Sequence, residues 1–393
     1  MSWDTVKLGE LTDLISSGST PKGGSDNYMT EGPVMFIRSQ NVQMNELSLG
    51  DVAYISKTIH HNMKRTWVKK GDVLLNITGA SIGRVAAFEL HDVEANVNQH
   101  VCIIRPRPNR LDTRYLSYFL STPNFQHHIN EMQHGGTRQA LTFSQIADFD
   151  IPLPPLVEQQ RIAAILDKAD ALRAKRRAAL AKLDVLLQST FLDMFGDPVT
   201  NPKGWKIKKL GELGKWQSGG TPSRSHPEYF EGTIPWLSSG ELEQLYTYES
   251  QEYLTQEAVE NSSTKLIKPG SLLLGMYDTA ALKSTINQVA CTCNQAIAFS
   301  RLNNQIANTL FIYYTIQIGK DHFRRLQRGV RQKNLNLSMV RNIEIPCPPL
   351  NLQDKFADFV ETSLISSTRL ENALKMHDNL FHCLQQRAFK GEL

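Results

Sequence analysis

The chain has 393 residues, 41% of them apolar and 21% charged, with a formal net charge of +4. This length predicts two or three domains, each able to bury its own core. The composition excludes a disordered or fibrous chain, and no apolar run approaches the ~20 residues of a membrane span.

In chain order, Ser17-Gly18-Ser19-Thr20-Pro21 opens a Gly-rich loop that runs to Gly24. Gly18 and Gly23 have the spacing of a phosphate-gripping loop, but Gly24 stands where that loop needs a lysine. Arg38-Ser39-Gln40-Asn41 is a polar quartet. Lys64-Arg65-Thr66-Trp67-Val68-Lys69-Lys70 interleaves cations with an aromatic, a pattern suited to neutralising phosphates; a merely solvated basic surface is the alternative. Apolar runs bounded by Gly, Asn or Pro predict strands over 73–77 and 101–104, and 111–119 reads as a helix. Asn98-Gln99 is either exposed or a pair of buried amides. Gly136-Thr137-Arg138-Gln139 is a loop in which glycine permits close approach, Arg suits guanine and Gln suits adenine. A plain turn with a phosphate-binding Arg is the other reading.

After Pro154-Pro155 the texture changes: residues 157–195 contain neither Pro nor Gly. A heptad register fits Ile162, Leu166, Ala169, Leu183 and Leu187, with Arg173 and Arg176 as polar seam positions that can set register. Gly196-Asp197-Pro198 stops the helix.

From Trp205 the chain repeats itself. Lys7-Leu8-Gly9-Glu10-Leu11 returns as Lys209-Leu210-Gly211-Glu212-Leu213, and Ile151-Pro152-Leu153-Pro154-Pro155-Leu156 as Ile345-Pro346-Cys347-Pro348-Pro349-Leu350. Ser17-Gly18 matches Ser218-Gly219, Asn98-Gln99 matches Asn294-Gln295, and Arg38-Ser39-Gln40-Asn41 lies opposite Trp236-Leu237-Ser238-Ser239. The glycine loop returns as Arg328-Gly329-Val330-Arg331-Gln332, followed by Lys333. Because this loop is shared, phosphate contact fits it better than base reading; the differing Arg38–Asn41 and Ser238-Ser239 fit base reading, although neutral drift also predicts difference. The second long helix carries the same register on Phe356, Val360, Leu370, Leu374 and Phe381.

The expected fold is α+β: two similar sheet-rich α/β recognition domains, 1–152 and 198–346, separated by helical segments 153–197 and 347–393. Paired antiparallel, the helices are expected to act as a spacer that holds the two globular parts at opposite ends of a rod, like a ruler with a reading head at each end. Catalytic signatures are absent. There is no G-x-G-x-x-G after a strand, no H-E-x-x-H and no defensible carboxylate or metal constellation. Cys102, Cys291, Cys293, Cys347 and Cys383 form no disulfide framework, and the start of the chain shows no signal peptide, so a reducing cytoplasm is the expected compartment.

The stretch Pro152–Ile162 at the start of the first helix and Gln386–Leu393 at the end of the second resemble the specificity subunits of type I restriction–modification enzymes. Gly71-Asp72-Val73-Leu74 with Gly79-Ala80-Ser81-Ile82-Gly83 is similar to their recognition domains. The second copy departs here, with Gly275-Met276-Tyr277-Asp278 opposite Asn76-Ile77-Thr78-Gly79. The resemblance implies a DNA-binding subunit without catalysis of its own, each domain reading one half of a bipartite asymmetric target. The DNA-contact candidates are then Arg38, Ser39, Gln40, Asn41, Lys64, Arg65, Thr78, Ser81 and Gly136–Gln139, with Ser238, Ser239, Tyr277, Arg328, Gly329, Arg331, Gln332 and Lys333 in the second copy. Double-stranded DNA and two methyltransferase subunits are the implied partners, with restriction subunits in the full complex and no membrane. S-adenosylmethionine, ATP and magnesium belong to those partners, and this chain holds no cofactor or metal. A self-contained DNA-modifying enzyme and a coiled-coil adaptor are the alternatives.

Overall fold

Strand residues on either side of one sheet explain the first half of the chain. Leu74, Ala86 and Ile103 face one core, while their neighbours Val73, Leu75, Cys102 and Ile104 face another. With both faces covered, these strands read as continuous apolar runs rather than as an alternation. The structure is a computed structural model that describes residues 3–132, 140–325 and 334–393. It divides into two compact units, 1–177 with 372–393 and 178–371.

In the first unit, one sheet runs in the order Thr12–Ser17, Val101–Pro106, Asp72–Asn76 and Val85–Phe88, all antiparallel. A second sheet orders Ala53–Ile55, Val34–Ile37, Ala95–Val97 and Trp67–Val68, with the middle pair parallel. Arg105 ties the sheets together. Its guanidinium bonds both oxygens of the buried Asp72 carboxylate at 2.7 and 2.8 Å and donates to the Trp67 carbonyl at 2.9 Å. The second unit repeats the plan. Its larger sheet orders Gln217–Ser218, Ile297–Ser300, Leu272–Gly275, Ser284–Asn287 and Tyr246–Thr247, and its smaller sheet again holds a parallel pair, Ile234–Leu237 with Thr292–Cys293. The helix expected over 111–119 appears as Thr113–Leu120, and Thr309–Ile318 is a helix of the second unit.

The two long helices are Leu156–Phe195, of 40 residues, and Leu350–Lys390, of 41. Gly196 ends the first with φ of +79°, and a Cβ there would meet Pro202 Cγ at 2.7 Å, so the left-handed stop needs glycine. A buried glutamine fixes each helix start. Gln159 Nε2 donates to the Pro154 and Arg110 carbonyls at 2.9 and 3.0 Å, and its Oε1 accepts from Asp112 N at 2.9 Å. Gln353 repeats this on Pro348 at 2.8 Å, Ile306 at 3.4 Å and Asn308 N at 2.9 Å.

The pairing is antiparallel in each unit. In the first, Arg173 Nε meets Asp378 at 2.6 Å and Arg161 reaches the Leu393 carbonyl at 2.8 Å. In the second, the Phe191 and Phe356 rings sit 5.3 Å apart, edge to face. The expected seam residues Ile162, Leu166, Ala169, Leu187, Phe356, Val360 and Phe381 are buried, whereas Leu183, Leu370 and Leu374 are half-buried. The buried ones do more than line a seam. Phe381 and Ala388 of the second helix enter the first unit's core beside Tyr115, and Leu187, Phe191 and Phe195 of the first helix enter the second unit's core beside Phe311. Each globular part is completed by the end of the helix that follows the other copy.

Candidate nucleic-acid interface

Thr12–Ser17 and Asp72–Asn76 both run antiparallel to Val101–Pro106, so their carboxyl ends share one edge with its start. The parallel pair Val34–Ile37 and Ala95–Val97 ends there too, with Asn98 N donating to the Ile37 carbonyl at 3.2 Å. Loops 18–27, 38–41, 77–83 and 98–100 therefore gather on one side of the first unit. Gly18 makes the closest approach: a Cβ there would lie 1.7 Å from the Val97 carbonyl oxygen, so only glycine lets the loop cross the strand end. Gly219 does the same in the second unit, 2.2 Å from the Cys293 oxygen.

This crossing sets a row of polar side chains. Thr20 Oγ1 donates to Gln99 Oε1, Gln99 Nε2 lies 3.1 Å from His100 Nε2, and His100 Nδ1 bonds Thr78 Oγ1. Thr78 in turn bridges to Ala140, the first described residue after the glycine loop. The second unit matches it bond for bond at the backbone. Asn98 and Asn294 each accept from the amide two residues on, at 3.1 Å. The Ile77 amide donates to the His100 carbonyl at 3.0 Å, as Met276 does to Ala296 at 2.8 Å. Thr221 donates to Gln295, and Tyr277 bridges to Asn334. Sequence reasoning missed Thr20 and His100 and left Gln99 open; the repetition of Thr20 and Gln99 in the second copy was the available signal.

The expected contact residues divide by what their side chains already do. Thr78, half-buried Ser81 and Tyr277, which is 39% exposed, lie on this edge. Ser39 follows the parallel strand, and its carbonyl accepts from Asn76 Nδ2 at 2.8 Å. Arg38 donates to the Asp51 carbonyl at 2.7 Å, and Gln40 to the Asp51 carboxylate. Asn41 is a correction: expected among the reading groups, it is buried, with its amide committed to the Ser48 carbonyl at 3.0 Å and to Asp51 Oδ1 at 2.9 Å. A short polar loop next to a strand end leaves one amide inside to hold the turn. Ser238 is half-buried and bonds Glu241 at 2.7 Å through its hydroxyl, while Ser239 beside it is half-buried. Lys64 is exposed, and the exposed Arg65 holds Ser16 Oγ at 3.2 Å, placing a cation on the strand that leads to the edge. Lys265 does the equivalent on the Ser218 carbonyl at 3.0 Å. Gly136, Thr137, Arg138, Gln139, Arg328, Gly329, Arg331, Gln332 and Lys333 lie outside the described residues.

The adjacent His60 and His61 differ, and His61 is exposed. His60 is buried, stacked on Trp67 at 4.6 Å, with Nδ1 accepting from Asn96 at 2.9 Å, and burial lowers its pKa. Among the described residues, no group of three or more His, Cys, Asp and Glu is placed to hold a metal, and no helix is long and apolar enough to cross a membrane.

Residues 1–182 and 202–376 each match the type I restriction modification DNA specificity domain. The chain belongs to that family. Both compact units thus carry a specificity domain of the same kind, as the shared edge geometry requires. The chain is similar to the type I restriction enzyme EcoR124I/EcoR124II specificity subunit of Escherichia coli, 30% identical over 220 residues that cover 54% of this chain and 53% of that protein. The type I restriction enzyme MjaIX specificity subunit of Methanocaldococcus jannaschii is 24% identical over 379 residues, covering 91% of this chain and 86% of that one. In fold, the chain is similar to the crystal structure of the S subunit of a type I restriction-modification system from M. genitalium, with a TM-score of 0.61, 16% identity, and 99% and 96% of the two chains covered.

Proposed function

We propose that this chain is the DNA-reading subunit of a cytoplasmic type I restriction–modification complex and performs no chemistry itself. Each unit contacts one half of a bipartite, asymmetric DNA target through its loop edge, and the helix pair sets the gap between the half-sites. Two methyltransferase subunits dock on the exposed helix faces and the domain surfaces, and restriction subunits join the full complex. Those partners carry S-adenosylmethionine, ATP and magnesium.

One observation carries this reading. The same backbone-locked edge occurs in both units, but the side chains on it differ: His100 and Thr78 in one, Ala296 and Tyr277 in the other. Shared geometry with differing polar groups is what two related readers of different sequences need. The flanking cations Arg65 and Lys265 supply salt-dependent affinity for phosphates.

The test is an adenine-methylation map of DNA from cells that co-express this chain with its methyltransferase subunit. A two-part motif with a fixed gap, absent when the chain is omitted, supports the reading. Methylation by the chain alone would favour the enzyme. A stable complex with no sequence-dependent DNA affinity would favour the adaptor.

A further inference from the structure

We infer that the chain of hydrogen bonds Thr20–Gln99–His100–Thr78 is the sequence-discriminating element of the first unit, and that the His100/Ala296 and Thr78/Tyr277 differences make the two half-sites unlike. This rests on the DNA-reading function proposed above.

The argument follows the hydrogens. Thr20 has one hydroxyl hydrogen and gives it to Gln99 Oε1. Gln99 Nε2 therefore faces His100 with its amide hydrogens, and His100 Nε2 accepts at 3.1 Å. A neutral imidazole that accepts at one nitrogen carries its hydrogen on the other. His100 Nδ1 thus donates to Thr78 Oγ1, and the Thr78 hydroxyl is left as an outward donor. The second amide hydrogen of the exposed Gln99 is also outward. The first unit presents two donors held at a fixed separation by a side-chain relay whose backbone is locked at both ends. Paired donors match the acceptor edge of a purine, N7 with O6 on guanine, and the O4 of thymine.

The second unit keeps the root and changes the end. Thr221 again donates to Gln295, so that amide is oriented the same way. Ala296 offers no ring to accept from the amide of the exposed Gln295. Tyr277 takes the place of Thr78, a longer reach with a hydroxyl that donates and accepts. The threonine–glutamine pair is the common contact, and the two positions beyond it are the variable ones. His100 and Thr78 are half-buried and Tyr277 is exposed, so changing them leaves both cores intact; Ala296 is buried, so the second unit is varied at Tyr277 alone.

The experiment selects duplexes from a randomised pool with the full chain in complex with its methyltransferase, and sequences what is bound. Six proteins are compared: the wild type, H100A, the exchange T78Y/H100A, Y277T, Gln99→Leu and Gln295→Leu. The expected result is a change of about tenfold or more in preference at one or two adjacent positions of a single half-site, the size of one lost or gained base contact. T78Y/H100A and H100A change one half-site, Y277T changes the other, and the gap is constant. Gln99→Leu and Gln295→Leu weaken binding at their own half-sites. Preferences unchanged within twofold in H100A, T78Y/H100A and Y277T, with wild-type circular dichroism, would overturn the inference while leaving the DNA-reading function standing. A wild-type complex that selects no sequence at all overturns that function instead.

Discussion

Replacing Gln159 by leucine removes a buried side chain that satisfies three backbone groups at once, with almost no change in volume. The Asp112 amide, 2.9 Å from Oε1, loses its acceptor, and the Pro154 and Arg110 carbonyls at 2.9 and 3.0 Å lose a donor. A stranded buried amide costs ~1–3 kcal/mol, and each carbonyl, with a second lone pair to use, is at the low end of that range. Added together this is ~3–5 kcal/mol, and the better burial of leucine offsets ~1–2 kcal/mol of it. The net loss of ~1–4 kcal/mol is a large part of the ~5–15 kcal/mol that holds a typical protein folded. Urea denaturation followed by circular dichroism measures it, and hydrogen exchange localises it to 108–120 and 154–163. Gln159→Glu sharpens the test. Ionised, its carboxylate still accepts from Asp112 N but points oxygen at two carbonyls, so the folded state favours the protonated acid and raises its pKa. Such a variant is weak at neutral pH and recovers as pH falls towards the carboxylate range. A Gln159→Leu protein within ~0.5 kcal/mol of wild type, or a Gln159→Glu protein with wild-type pH dependence, would show that the clamp does not hold the helix.

Phe191→Ala should cost ~3–5 kcal/mol, because its ring is 1% exposed between Phe311 and Phe356; loss of exchange protection over Thr309–Ile318 checks it. Arg105→Met strands the Asp72 carboxylate, whose pKa burial already raises against the opposing hydrogen bond and charge of Arg105. The single variant should lose ~3 kcal/mol at neutral pH and regain part of it as the acid takes up a proton, while Asp72→Leu with Arg105→Met recovers most of it, all read from denaturant midpoints. His60 is held neutral, its pKa lowered chiefly by burial. Its contribution is fully present above the ordinary histidine value of 6.5 and is lost as pH falls through the lower folded value, so thermal midpoints of the wild type decline over that interval and those of His60→Phe decline less.

The parts of the fold that depend on period and punctuation could be read from the sequence. The run without Pro or Gly gave a first helix over 157–195, and it spans Leu156–Phe195. Gly196 marked the stop because a left-handed residue was needed there. The seam positions nearest the globular parts are buried, since a third layer covers them, but Leu183, Leu370 and Leu374 are only half-buried where two helices cover each other alone. What could not be read is which polar residues lie inside. Asn98 is buried and the adjacent Gln99 exposed; His60 is buried and His61 exposed. The quartet from Arg38 to Asn41 looked uniform, yet it places Asn41 inside and Arg38 against Asp51. Such choices depend on where a strand end meets a loop, which composition does not record. The repeat itself gave the best guide to function, because it held Thr20 with Gln99 and Thr221 with Gln295 while the residues beside them changed.

The exchange of helix ends has a thermodynamic consequence. Leu156–Phe195 gives its first turns to one core and Phe191 and Phe195 to the other, without a Gly or Pro at which melting could stop. Leu350–Lys390 does the same in the opposite sense, through Phe356 and Phe381. Local loss of structure in either unit frays a helix whose far end is part of the other unit's interior. The chain is therefore built to unfold as one cooperative system, and a destabilising change in one specificity domain is felt in the stability of both.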